Sequence, residues 1–146
     1  MSRRHLISTW LPVAFWLLVI AIESTESMSS GSTAAFLARL LRALHINWDV
    51  DLVNTVLRKT GHVIGFGILF LLLQRAFRRS FDRNPWALDV YAVALTVLVA
   101  AADEVHQYFL SSRTGRFQDV LIDACGIAIC WTAQALFTRR SSVATT

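Results

Sequence analysis

The side chains of this 146-residue chain that are equipped for chemistry form a short series. Lys59 and His62 stand three apart; Asp103-Glu104-Val105-His106-Gln107 comes later, then Arg113 and Arg116, then Asp119 and Asp123. Three kinds of chemistry are open to them. A guanidinium holds phosphate or carboxylate through paired charge-assisted hydrogen bonds, so Arg113, with Arg116 or Lys59, is the candidate anion anchor. An imidazole and a carboxylate exchange protons, so His62 and Glu104 are the candidate acid and base. Histidines and carboxylates also ligate metals, and His62, His106, Asp103, Glu104 and Asp119 are of the right types. Asp-Glu-Val-His is not a His-Glu-x-x-His pair, however, and no second compact pair of ligand types is present. No metal and no cofactor are expected. No serine or cysteine stands in a recognisable nucleophile setting. Cys125 and Cys130, five apart on a helix, exceed the ~7 Å reach of a disulfide and read as small apolar packing residues.

The elements that must position these groups are membrane spans. Hydrophobic residues make up 55% of the chain and charged residues only 16%, where a soluble domain carries about 25%. Mean hydropathy is +0.50. The apolar residues cluster into four blocks, each near the ~20 residues a bilayer crossing takes. This excludes a soluble nucleotide-binding domain, a disordered regulator and a secreted disulfide scaffold. The net charge of +4 belongs to arginines flanking spans, and no basic stripe with interleaved aromatics points to nucleic acid.

The expected fold is all-α: a single membrane domain over residues 1–146, an integral four-helix bundle with one additional amphipathic helix. The spans run from Leu6 to Ile22, Thr60 to Phe77, Trp86 to Phe109 and Asp119 to Phe137. Span two continues a helix that starts near Asp51, and span three opens after Asn84-Pro85, a natural helix start. Glu23-Ser24-Thr25-Glu26 has no small-x-small cleavage site, so span one is expected to be a retained anchor. Phe36, Leu37, Leu40, Leu41 and Leu44 recur at helical spacing, predicting an amphipathic helix over 33–45, capped by Ser32 or Thr33. It lies in the interface or packs across the bundle; both bury the same leucine face.

Arginine and lysine placement sets the orientation. With the N-terminus inside, Arg3, Arg4, Arg75, Arg78, Arg79, Arg83, Arg139 and Arg140 are inner. Arg39, Arg42, Arg58, Lys59, Arg113 and Arg116 are outer. The expectation is a plasma-membrane protein with both termini in the cytoplasm.

In that topology every chemically equipped residue reaches the same, outer end. Ionisable groups within a span are a functional hypothesis by default, since each costs roughly 2.5–3.5 kcal/mol at the centre unless paired or hydrated. Lys59 with His62, Glu104 with Gln107, and Asp119 with Asp123 and Gly126 each share a helix face. Gly65, Gly67 and Gly126 are small enough for close helix approach. The competing reading is a lock of salt bridges, Arg113 with Asp119 or Arg116 with Asp123, tying helix ends together. Singly, His5 reads as a flank, His45 as interfacial and Glu23 and Glu26 as solvated. The tryptophans read as interface residues.

The ordered set Lys59-x-x-His62, Glu104-x-x-Gln107-x-Phe109-x-x-x-Arg113 and Asp119-x-x-x-Asp123-x-x-Gly126 resembles the VanZ-like family of small bacterial membrane proteins. The likeness covers about Lys59 to Phe137. Two positions depart from the family's common pattern: Ser111 stands where a proline is usual, and Asp123 where asparagine is usual. The resemblance implies a role in the cell envelope, and the family's namesake confers low-level resistance to the glycopeptide teicoplanin.

Three functions fit. The first is an envelope-binding protein whose outward-facing polar pocket holds an anionic lipid, cell-wall precursor or glycopeptide group. Lys59, His62, Glu104, Gln107, Arg113, Arg116, Asp119 and Asp123 would contact the ligand, and membrane lipids would surround it. The second is an intramembrane hydrolase using His62 and Glu104. The third is an accessory membrane protein whose polar cluster only locks helices together. Binding rather than catalysis is the favoured reading.

Overall fold

The structure, a computed structural model, describes residues 3–25, 30–110 and 117–143, with side chains over 4–25, 31–110 and 118–136. Five helices make up the fold: α1 (Arg3–Glu23), α2 (Ser30–Ala43), α3 (Val50–Ser80), α4 (Pro85–Tyr108) and α5 (Phe117–Val143). No strand occurs among the described residues. α1, α3, α4 and α5 each hold a segment long and apolar enough to cross a membrane. The all-α class, the four spans and the additional helix are those expected.

Local sequence explains the boundaries. Asp49 opens α3, its carboxylate accepting from the backbone N–H of Asp51 and Leu52. Asn84 accepts from the N–H of Trp86, with Pro85 pre-set for the first helical position of α4. α2 ends in a left-handed His45 (φ 55°), which lets the N–H of Ile46 return to the carbonyl of Leu41. His45 is therefore a helix stop, a role its position alone did not disclose. α2 starts at Ser30, earlier than expected, so Ser32 and Thr33 lie inside its first turn instead of capping it. Once the leucine face is docked, each further turn adds hydrogen bonds at little entropic cost.

α3 is the axis of the molecule and packs against each of the other four helices. At 1.5 Å per residue its 31 residues reach about 46 Å, well beyond a hydrocarbon core of ~30 Å. α2 packs on the first turns of α3, about a cleft lined by Leu37, Leu57 and Arg58, and its Leu41 is buried. Phe36, Leu40 and Leu44 of α2 still face outward, so α2 both packs on the bundle and presents an apolar edge to its surroundings.

The core runs along one face of α3: Phe66, Leu69, Phe70, Leu73 and Ala76. α4 turns a stripe at every fourth residue toward it: Leu88, Ala92, Thr96, Ala100 and then Glu104. Small side chains in that stripe let helices approach where lipid supplies no hydrophobic drive. Thr9, Val13 and Ile20 of α1, Ser24 just after it, and Val120, Asp123 and Ile127 of α5 are buried as well.

Two tryptophans are structural ties, where sequence position assigned them to the interface. Trp16 donates its indole N–H to the carbonyl of Gly65 at 2.8 Å, and Trp10 to Ser80 Oγ at 3.0 Å. Gly65 is no close-packing residue: a β-carbon there would meet nothing within 4 Å. Gly67 and Gly126 are close-packing residues, both at the α3–α5 crossing.

Candidate functional site

The α3–α5 crossing sets the site. A β-carbon on Gly126 would overlap the carbonyl oxygen of Val63, and one on Gly67 would lie 2.9 Å from Cys130 Sγ. Only bare backbone fits at the crossing. One residue before Val63 on α3 is His62, and one turn before Gly126 on α5 is Asp123. The close approach carries these two side chains into contact: His62 Nδ1 lies 3.1 Å from Asp123 Oδ1. Asp123 is fully buried, and its second oxygen, Oδ2, has no hydrogen-bond partner among the described residues. Glu104, the last step of the buried α4 stripe, completes the group. One ligating atom from each of His62, Glu104 and Asp123 lies within 4.8 Å of the other two.

Around this centre the remaining polar groups pair off. Lys59 Nζ and Asp119 Oδ1 are 3.8 Å apart at the rim. Buried Gln107 donates its Nε2 to Asp103 Oδ2 at 2.8 Å, one turn back on α4. His106 turns away from the centre and shares a 3.1 Å hydrogen bond with Oγ of Ser24, the residue that follows α1. A cavity of about 20 Å³, room for a single water, lies among Ser24, Glu23, His62, Asp103 and Gln107.

A larger cleft of about 390 Å³ lies beneath α2. Phe36, Leu37, Leu40 and Leu57 make it apolar, and Thr33, Asn54, Arg58, Glu23 and His62 supply polar groups. His62 lines the cleft and the small cavity alike.

Six of the eight candidate contact residues therefore sit at one end of the bundle: Lys59, His62, Glu104, Gln107, Asp119 and Asp123. His62, Glu104 and Asp123 form its centre. Lys59 and Asp119 form a rim pair, and Gln107 binds Asp103. Arg113 and Arg116 lie outside the described residues, as do Glu26 and the Arg113–Asp119 and Arg116–Asp123 pairings. Of the five residues weighed for metal ligation, only His62 and Glu104 enter the central group, and the third member is Asp123.

Sequence reasoning passed over Arg58 and Asn54 as site residues. Their signal was legible: Asn54, Arg58 and His62 are spaced by four and so share one face of α3. It also passed over Asp89, a buried carboxylate at the opposite end of the bundle. Arg78 holds Asp89 there with two hydrogen bonds, Nε to Oδ1 at 2.9 Å and Nη2 to Oδ2 at 2.7 Å. Cys125 and Cys130 are both free thiols; Cys130 packs on Gly67, while Cys125 faces outward.

The sequence pattern of the VanZ/LLP1 family matches residues 7–138. The chain is 32% identical over 145 residues to the uncharacterized membrane protein YwnJ of Bacillus subtilis (strain 168), covering 94% of each chain. No solved structure matches it.

Proposed function

The chain belongs to the VanZ-like family of membrane proteins, and on that premise we propose that it binds an anionic amphiphile at the polar end of its bundle. The observation that carries this is the cleft beneath α2. Its apolar residues, Phe36, Leu37, Leu40 and Leu57, suit an acyl or polyprenyl chain, and Arg58 and His62 suit the head that follows it. A ligand with both parts is a lipid phosphate, a lipid-linked cell-wall precursor or a glycopeptide bearing a lipid chain. Arg113, Arg116 and Lys59 are the further cations that would hold the anionic group, through the planar fork in the case of arginine. Glu104, Gln107, Asp119 and Asp123 would orient those cations or take hydroxyls of the ligand.

The arginine distribution supports a plasma-membrane location with both termini in the cytoplasm. The cleft then opens on the envelope side, where such amphiphiles are assembled and used.

Native mass spectrometry of the detergent-purified protein tests this reading. The expected result is a phospholipid or polyprenyl phosphate retained by the wild-type chain and lost from Leu57→Trp, whose indole would fill the cleft. Arg113→Ala and Arg58→Ala are expected to stay folded and retain less of the anionic species. Equal retention by Leu57→Trp would overturn the proposal.

A second reading, an intramembrane hydrolase, is favoured by the His62–Asp123 hydrogen bond. A carboxylate that fixes the tautomer and orientation of an imidazole is how a catalytic base is commonly held. In that reading His62 and Glu104 exchange protons with the reacting groups. Time-dependent breakdown of the co-purified amphiphile, absent in His62→Gln, would establish it.

A further inference from the structure

We infer that His62, Glu104 and Asp123 are the protein ligands of a divalent transition-metal ion buried at the polar end of the bundle. The three come from three different helices, α3, α4 and α5, and bring one imidazole nitrogen and two carboxylate oxygens within 4.8 Å of one another. That donor set suits zinc or manganese, which take mixed nitrogen and oxygen ligands.

Burial makes the case for a cation. Glu104 is 6% exposed and Asp123 fully buried, so two carboxylates share a space closed to bulk water. Two like charges so placed repel and are poorly solvated. A divalent ion removes both penalties by neutralising the pair. The Oδ2 oxygen of Asp123, buried and without a hydrogen-bond partner among the described residues, is a lone-pair donor aimed into this group.

The dimensions call for a modest contraction. Metal–ligand bonds of ~2.1 Å at tetrahedral angles place two ligands of one ion ~3.4 Å apart. Atoms now within 4.8 Å of one another close by up to about 1.4 Å, a movement that side-chain rotations supply. Three protein ligands leave a coordination position for water, and the cavity of about 20 Å³ adjoins His62. His62 also lines the cleft beneath α2, the side from which an ion would reach the group. The site shares His62 with the cleft and would take Glu104 and Asp123 from the lipid's contacts, but it needs no amphiphile to form, so metal alone tests it.

The test uses the full-length protein in detergent, stripped with EDTA and then dialysed against Zn²⁺ or Mn²⁺ alone. Metal content is read by elemental mass spectrometry, and unfolding is followed with and without metal. The expected result is saturable binding of one ion per chain with a raised melting temperature, since a ligand of the folded state stabilises it. Asp123→Asn and Glu104→Gln, isosteric replacements, should each weaken binding by at least about tenfold. A His5→Ala, His45→Ala double variant should bind as the wild type does, because both residues lie apart from the triad. Should either triad variant fail to fold, pulsed EPR of Mn²⁺ on the wild-type chain decides, through the nitrogen coupling of one directly bound imidazole. No saturable ion, undiminished binding in both folded triad variants, or absence of that coupling would overturn the assignment.

Discussion

Gly126 of α5 stands with its Cα against the backbone carbonyl of Val63 on α3, with no room for a β-carbon between them. The contact involves no side chain and lies outside the polar centre, yet it governs that centre. His62 is next to Val63, and Asp123 is one helical turn from Gly126. The separation of the two backbones at the crossing therefore fixes the distance between imidazole and carboxylate.

Gly126→Ala is accordingly expected to destabilise the protein by about 1–3 kcal/mol, because the obstructing atoms are backbone and cannot rotate aside. Gly65→Ala is the matched control: its β-carbon would enter open space, and alanine favours a helix by up to ~1 kcal/mol over glycine. Thermal unfolding of both variants in detergent checks the pair. Equal melting temperatures would mean that the crossing is looser than its geometry.

At the opposite end, Arg78 and Asp89 form a two-pronged pair in which only the acid is deeply buried, the side chains being 45% and 8% exposed. That difference predicts an asymmetry. Arg78→Ala strands a buried carboxylate and should cost up to about 3 kcal/mol, the low end for breaking a buried pair because the arginine is half exposed. Asp89→Asn leaves a cation that can still reach water, and should cost less. Unfolding midpoints of the two variants in one detergent are the comparison, and the reverse order would remove the stated cause.

Orientation is open to chemical labelling. In a cysteine-free background, Asp51→Cys at the start of α3 and Asp82→Cys after its end lie on opposite sides of the membrane. A membrane-impermeant maleimide added to intact cells should label the first and spare the second. The opposite pattern would invert the topology and carry the polar cluster to the cytoplasmic face.

The class of this fold was written in the sequence because bilayer physics leaves few options. Four continuous apolar blocks of ~20 residues have to be helices, since only a helix satisfies its backbone hydrogen bonds within one segment and barrel strands are shorter and alternate. The start of α4 was equally plain, because Asn84-Pro85 acts on its immediate neighbours; the start of α3 was placed near Asp51, and its cap, Asp49, emerged only in the structure. The grouping of Lys59, His62, Glu104, Gln107, Asp119 and Asp123 at one end followed from counting spans. What counting did not reach was how those residues sort among themselves. Helical spacing says which side chains share a face, not which faces meet, and the pairing of His62 with Asp123 depends on a backbone contact between α3 and α5. Glu104 joins them because the α4 stripe of Leu88, Ala92, Thr96 and Ala100 lies against α3 in one register. The cleft at His62 likewise exists only because α2 docks on the first turns of α3. Sequence determined which chemistry comes to this end of the membrane; tertiary packing decided which groups touch, because contacts between helices depend on side-chain volumes contributed by both partners at once.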